Sequence, residues 1–184
     1  MLLDLIPHAA TRPERVLGVT ATLSRRADGG MFLSFCVMGV SSLSIHPAKP
    51  GRDDGLWQHT CFELFAKSAD ESEYLEFNFA PHGAWAAYSF EDRRTGQRDL
   101  PCEAPVIVDW PPVSGMQQYA SRYGLDVILD RSVLPPGKTV FGLSAVIEES
   151  DGTKSYWALR HPPGKPDFHH PDCFALELAA AEQP

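Results

Sequence analysis

The chain has 184 residues, of which 43% are hydrophobic and 22% are charged, and its formal net charge is -8 at pH 7. This composition is typical of a globular protein, and a chain of this length buries roughly two-thirds of its unfolded surface, which predicts one domain over residues 1–184. The acidic balance argues against nucleic acid, whose phosphates need a basic footprint, and against an anionic membrane surface as binding partners.

The N-terminal residues and the cysteines bear on the compartment. Asp4, Pro7 and His8 interrupt the apolar residues before a hydrophobic run of secretory length can form. No run approaches the roughly 20 apolar residues of a membrane-spanning helix, and the four cysteines include no C-x-x-C pair. These features predict reduced thiols and a cytoplasmic location.

The sequence predicts short strands along most of the chain. Its 14 Gly and 16 Pro residues are typical of the turns that separate such strands. Residues 16–24 alternate apolar and polar side chains, and the largely apolar residues 31–40 follow after an Asp-Gly-Gly turn. We expect these two strands to pair as a hairpin. Residues 41–55 contain Pro and Gly and predict a loop.

The stretch Leu56–Phe90 carries the clearest strand pattern, with three alternating runs joined by turn residues. Side chains on a strand alternate faces, so the apolar residues of the first two runs share one face. These residues are Phe62, Leu64, Leu75, Phe77 and Phe79. Glu63, Glu76 and Asn78 fall on the opposite face, which predicts a core on one side and a polar, ligand-binding surface on the other.

The C-terminal half continues the same pattern of short strands. Apolar runs at 106–108, 125–129, 140–147 and 155–159 predict strands, an Asp-Gly pair predicts a hairpin turn before the last of them, and residues 173–178 predict a final strand. We further expect an extended segment over residues 117–123 and one helical turn over residues 132–137. Nine or more strands of this kind predict an all-β fold, an antiparallel β-sandwich of the jelly-roll or immunoglobulin-like type.

Two segments, together about a third of the chain, resemble a known family. LWQHTCFELFAKSADESEYLEFNFAPHGAWAAYSF is similar to the central hairpins of DOMON-like and family 9 carbohydrate-binding-module-like (CBM9-like) domains, and SYWALRHPPGKPDFHHPDCFALEL is similar to their closing segment. The resemblance implies an antiparallel β-sandwich whose relatives bind sugars or, in some DOMON branches, haem. Many relatives of this type are small stand-alone bacterial proteins, and family 9 modules can also hold structural calcium.

The leading functional prediction is a non-catalytic domain that binds a carbohydrate or a similar small polar ligand. Tryptophan rings can stack on the apolar face of a sugar while carboxylates, amides and guanidinium groups bind its hydroxyls. Trp57 and Trp85 are the predicted platforms, although a tryptophan can equally bury its ring in the core. The predicted ligand-binding residues are Trp57, His59, Glu63, Asn78, Trp85, Arg93 and Arg160.

Two other functions stay open at this stage. Glu63 and Glu76, on neighbouring strands, could serve as the acid and base of a glycoside hydrolase if a pocket raised one pKa. An uncovered sheet edge could instead bind another protein, whose identity the sequence does not indicate.

No metal or cofactor is predicted, although three weaker possibilities exist. The histidine-rich loop around His169 and Cys173 has zinc-ligand residue types, but its spacing matches neither a zinc finger nor H-E-x-x-H. A calcium site would have to use Asp53, Asp54 or Asp167, which form no EF-hand pattern. A haem would require an axial ligand, for which Met38 and His59 are available by residue type alone.

Overall fold

Strands make up nearly all the regular structure of the protein in the computed structural model, which describes residues 1–110, 121–135 and 137–178. Within these ranges there is no α-helix, and the all-β prediction is confirmed. The other regular elements are single turns of 3₁₀ helix, at Val40–Ser42, Leu56–Gln58, Pro81–Gly83, Arg131–Val133 and Pro171–Cys173. No helix in the described ranges is long and apolar enough to cross a bilayer.

The strands in these ranges are numbered in chain order. They are β1 (Leu2–Pro7), β2 (Gly18–Arg25), β3 (Met31–Met38), β4 (Gly51–Arg52), β5 (Cys61–Ser68), β6 (Tyr74–Phe79), β7 (Ala84–Phe90), β8 (Arg98–Asp99), β9 (Val106–Trp110), β10 (Arg122–Leu129), β11 (Thr139–Glu148), β12 (Lys154–Ala158) and β13 (Leu176–Leu178). Most of the predicted extended segment 117–123 lies outside the described residues.

One curled sheet folds back on itself to give two facing layers. Sheet A has the strand order β9-β10-β3-β2-β1, and sheet B has the order β4-β7-β6-β5-β11-β12-β1. Strand β1 joins them, since residues 2–5 pair with β2 while Ile6 and Pro7 pair with β12. The short β4–β7 pair is parallel, and the neighbouring pairs in the described ranges are antiparallel, so the sheet is mixed and the fold is sandwich-like.

The main core lies between the two sheets. The predicted core face is confirmed, because Phe62, Leu64, Phe77 and Phe79 are buried there and Leu75 packs against them. The ring centroid of Phe62 lies 5.0 Å from that of Phe35 in sheet A. Burial of each such side chain contributes about 1.5–3 kcal/mol, and these contacts hold the two layers together.

The two predicted hairpins are confirmed as well. Strands β2 and β3 pair over their whole length across the Asp-Gly-Gly turn, and β11 pairs with β12 across the Asp-Gly turn. The final strand is shorter than predicted, because Pro171–Cys173 forms a 3₁₀ turn in which the Asp172 N–H donates to Nδ1 of His170. Proline is well suited to the first position of such a turn.

A long loop, residues 159–175, covers the outer face of sheet B and is called the covering loop below. Strand β12 pairs with one half of β11 and β13 pairs with the other half. The covering loop therefore leaves sheet B beside one half of β11 and returns to it beside the other half. A Cβ atom on Gly142 of β11 would lie 3.0 Å from the carbonyl oxygen of Cys173, so glycine permits this close approach. Phe174 packs its ring edge-on to Phe65 and Tyr74, which adds a second apolar cluster outside the main core.

A buried carboxylate ties the segment before β2 to the end of β11. Glu149 is 1% exposed, and its oxygens accept hydrogen bonds from the backbone N–H groups of Glu14, Arg15 and Val16 at 3.0 to 3.3 Å. The hydroxyl of Ser42 donates to the same carboxylate at 3.1 Å. One side chain therefore satisfies three backbone donors from a segment distant in sequence.

Candidate functional site

A cavity of about 880 Å³ opens on the outer face of sheet B and is called the outer cavity below. Side chains from β5, β6 and β7 form its floor, with further contributions from β11 and β12. The covering loop supplies one wall, and Trp57 lies at the rim on the turn Leu56–Gln58. The predicted polar face of the sheet is therefore the floor of a cavity rather than an open surface.

Two carboxyl groups, Glu63 of β5 and Glu76 of β6, form the centre of the floor and are called the acid pair below. Glu63 lies opposite Asn78 and Glu76 lies opposite Phe65 in the strand register, so the two acids are diagonal neighbours on one face. They are only 3% and 6% exposed. Sequence alternation therefore predicted their shared face correctly, but the structure buries them because of the covering loop.

Each member of the acid pair has one hydrogen bond from a neighbouring side chain. The hydroxyl of Ser144 donates to Oε2 of Glu63 at 2.8 Å, and the amide of Asn78 donates to Oε1 of Glu76 at 2.7 Å. Asn78 is 1% exposed and does not line the outer cavity. Its place in the structure is therefore beside Glu76, where it fixes the orientation of that carboxyl group.

The environment of the acid pair favours proton retention. Burial, with the nearby Glu76 charge as the second cause, raises the pKa of Glu63 from its ordinary value of 4.5 to about 8. Burial also raises the pKa of Glu76, although the Asn78 hydrogen bond and the Arg94 charge oppose this. Two neighbouring buried carboxyl groups ionise as a unit, so the pair holds a proton at neutral pH.

A neutral histidine from the covering loop stands beside the acid pair. Nδ1 of His169 lies 2.7 Å from the Tyr74 hydroxyl, and its Nε2 lies 3.6 Å from Oε2 of Glu76. Burial lowers the pKa of His169 to about 4, and the Arg94 charge acts in the same direction. The imidazole is therefore uncharged at neutral pH and leaves the acid pair without a cationic histidine partner.

Two adjacent arginines hold the covering loop in place. Arg93 forms an ion pair with Asp167, and Nε and Nη2 of Arg94 donate to Oδ1 of the same carboxylate at 3.1 and 2.9 Å. Arg93, a predicted ligand-binding residue, thus lies at this anchor and does not line the outer cavity, whereas its neighbour Arg94 does. Both carboxylate oxygens of Asp167 therefore accept hydrogen bonds from these arginines.

Aromatic side chains surround the acid pair. Trp57 is 54% exposed at the rim, so much of its ring is accessible. Tyr88 faces Glu76 directly across the strand pair, and its hydroxyl donates to Oδ1 of Asp54 at 2.5 Å. Phe90 lines the cavity one position further along the same face of β7. The cavity therefore combines accessible aromatic area with polar groups that converge on its floor.

Trp85, the second predicted platform, lies on the other side of the sheet. It is 7% exposed, belongs to the main core and pairs with Phe79 in the strand register. Directly opposed residues share a face, so Trp85 follows Phe79 inward while Ala84 and Ala86 point outward. The Arg52 guanidinium carbon lies 5.5 Å from the centre of the Trp85 ring. The structure thus brings Trp57, and not Trp85, to the outer cavity.

His59 and Arg160 also lie apart from the acid pair. His59 lines a separate, smaller cavity of about 240 Å³, where its ring stacks on His46 with centroids 3.8 Å apart. Its Nδ1 lies 2.7 Å from Oε2 of Glu148. Arg160 is exposed at the start of the covering loop and does not line either cavity. Of the seven predicted ligand-binding residues, Trp57 and Glu63 line the outer cavity together.

Residues of the histidine-rich loop make other contacts in the structure, and the two candidate haem ligands lie in different parts of the fold. Across the described ranges, no group of three or more His, Cys, Asp and Glu side chains could hold a metal ion. His161 lies 2.7 Å from the carbonyl oxygen of Ile6, and the Cys173 thiol donates to the Asp167 carbonyl at 3.3 Å. Met38 lies on β3 of sheet A, whereas His59 follows a turn that leads into sheet B.

Several residues that line the cavity were not predicted from the sequence as ligand-binding, among them Tyr88, Phe90, Arg94 and His169. The first two could have been found by extending strand alternation from β6 into β7, because Glu76 and Tyr88 are register partners. Arg94 and His169 lie in loops, where no periodicity tells a cavity residue from its neighbour. His169 was considered for metal binding and instead contacts Tyr74.

Comparisons with known proteins support the fold. No protein-family model matches the sequence, and no curated protein matches it either. A crystal structure of a candidate carbohydrate-binding protein from Bacteroides uniformis is similar to this chain, with a TM-score of 0.68 and 12% sequence identity. The match covers 94% of this chain and 83% of that chain. Similarity at this level of identity shows that the two chains share an all-β, sandwich-like fold.

Proposed function

We propose that the outer cavity binds a carbohydrate or a similar small polar ligand without chemical conversion. The observation that carries this proposal is the cavity itself, about 880 Å³ in volume, with exposed Trp57 at its rim and Glu63 and Glu76 on its floor. Sites for small molecules have volumes of roughly 300–1,000 Å³ and combine apolar walls with a few convergent polar groups. The fold shared with a candidate carbohydrate-binding protein adds support.

The residues around the cavity suit a ligand with several hydroxyl groups. The ring of Trp57 can stack on an apolar sugar face, while Asp54 and Gln97 offer hydrogen-bonding partners at the wall. Thr11 also lines the cavity, and its hydroxyl oxygen is buried without a hydrogen-bond partner in the described part of the chain. A buried hydroxyl normally has a partner, so a bound ligand would satisfy this group.

Replacing Trp57 with alanine tests the proposal. We expect a saturable thermal shift with one or more mono- or oligosaccharides, and about ten-fold weaker binding in Trp57→Ala, a loss that corresponds to about 1.4 kcal/mol of stacking and buried area. Because Trp57 is 54% exposed, the free energy of unfolding without ligand should change by no more than about 0.5 kcal/mol.

Leu17→Ala is the matched control, since Leu17 is an 82% exposed apolar residue outside the cavity lining. This variant should bind as the wild type does. Equal saccharide affinity in Trp57→Ala, or the absence of a shift with any saccharide, would contradict the proposal.

A glycoside hydrolase is the second candidate, and the acid pair is the observation that favours it. A raised glutamic acid pKa next to a second carboxyl group is the arrangement that such enzymes use for acid and base chemistry. Hydrolysis of aryl glycosides by the wild type but not by Glu63→Gln, with binding retained, would distinguish this enzyme from a binding domain.

A further inference from the structure

We infer that the ligand of the outer cavity carries a protonated amine that binds at Glu63 and Glu76, which makes amino sugars the ligand class that fits the site. This inference rests on the proposed carbohydrate function and specifies its chemistry. It follows from the partners of the acid pair, from the aromatic side chains beside it and from the charges that line the cavity.

The acid pair lacks a cationic partner of its own. Glu63 is 3% exposed and lines the cavity, and its Oε1 accepts no hydrogen bond from the described residues, whereas Oε2 is bound by Ser144. Arg94 also lines the cavity, but its guanidinium group donates its hydrogen bonds to Asp167 and not to the acid pair. A carboxyl group that lines a cavity and keeps one oxygen without a protein donor is an acceptor to which a ligand ammonium group can donate.

The aromatic side chains beside the acid pair suit the same cation. Tyr88 is the register partner of Glu76, Phe90 lies two residues further along β7, and Trp57 stands at the rim. The faces of aromatic rings attract ammonium groups, most strongly where water is excluded. A carboxyl pair flanked by aromatic rings therefore recognises an amine, while the rim residues remain available for the hydroxyl groups of the same ligand.

The charges that line the cavity also favour a cationic ligand over an anionic one. Four carboxyl side chains line the cavity, those of Asp54, Glu63, Glu76 and Asp99, and because the acid pair holds a proton they carry about three negative charges against the two positive charges of Arg94 and Lys165. Asp99 is paired with Arg52 at 3.1 Å. Arg94 is already paired with Asp167. The whole chain has a formal net charge of -8, which steers cations toward the protein. When an ammonium group binds, it can replace the proton that the acid pair holds, and that proton passes to the solvent.

Isothermal titration calorimetry at pH 6 with four probes tests the inference. The probes are glucose, glucosamine, N-acetylglucosamine and cyclohexylamine, which separate the hydroxyl groups from the charged amine. We expect glucosamine to bind at least about ten-fold more tightly than glucose, because its ammonium group would form charge-assisted hydrogen bonds with the acid pair. N-acetylglucosamine, whose nitrogen is uncharged, should lose this advantage.

Two variants assign the preference to the acid pair. Glu76→Gln keeps the shape of the side chain and a partner for Asn78, and it should reduce the preference for glucosamine over glucose to less than about two-fold. Glu73→Gln removes an exposed carboxylate just before β6 and should retain the full preference.

The outcomes separate this inference from the proposal on which it rests. Equal binding of glucose and glucosamine would overturn the amine inference and leave the carbohydrate proposal standing. Cyclohexylamine binding as tightly as glucosamine, with no binding of glucose, would support the amine site and contradict the carbohydrate proposal. If none of the four probes binds, both are wrong.

Discussion

Glu63→Gln is expected to make the protein more stable than the wild type at alkaline pH, by on the order of 5 kcal/mol at pH 9. Burial raises the pKa of Glu63 from its ordinary value of 4.5 to about 8, so the folded protein holds a proton that the unfolded chain has already released. The wild-type free energy of unfolding therefore falls as the pH rises through this window. Glutamine resembles the protonated acid and carries no such penalty.

Urea unfolding of both proteins at pH 5, 7 and 9 measures this effect. The two free energies should nearly agree at pH 5 and diverge steadily toward pH 9. Comparison at each pH cancels the opposite contribution of His169, whose lowered pKa costs stability as the pH falls from its ordinary value of 6.5 toward about 4. The exposed Glu73→Gln serves as the control. A constant difference between Glu63→Gln and the wild type would show that Glu63 is ionised in the folded protein.

Glu149→Ala should destabilise the protein by about 3 kcal/mol, because three backbone N–H groups and the buried Ser42 hydroxyl lose this acceptor. The carboxylate of Glu149 accepts hydrogen bonds from the backbone N–H groups of Glu14, Arg15 and Val16. Glu149→Gln retains one acceptor oxygen and should lose an intermediate amount of stability. The midpoint of urea unfolding at pH 7 measures both losses.

Glu71→Ala is the matched control, since Glu71 is exposed in the turn between β5 and β6. Its free energy of unfolding should stay within about 0.5 kcal/mol of the wild type. A Glu149→Ala protein as stable as this control would mean that the N-terminal segment does not depend on Glu149.

Strand alternation predicted the part of the structure that depends on local patterns. The face shared by Glu63 and Glu76 and the core face with Phe62 and Phe77 both follow from the period of two along a strand. The β2–β3 and β11–β12 hairpins follow from their turn residues. These features need no knowledge of residues far away in the chain.

The features that the sequence did not predict depend on contacts between distant segments. Burial of the acid pair requires the covering loop, whose path over sheet B depends on β12 and β13 sharing β11 as a neighbour. Arg93 and Arg94 both donate to Asp167, but Arg94 alone of the two lines the outer cavity, and this depends on where the covering loop places Asp167. The inward position of Trp85 follows from its register with Phe79, which the length of the Pro81–Gly83 turn sets.

The central claim, that the outer cavity is a ligand-binding site, is tested most directly by an NMR titration of ¹⁵N-labelled protein with glucosamine and with glucose. We predict that the saturable shifts fall on amides of β5, β6 and β7 around Glu63, Glu76 and Tyr88, and on the covering loop near Phe168. Shifts confined to the smaller cavity at His46 and His59, or to the edge strand β9, would contradict the claim.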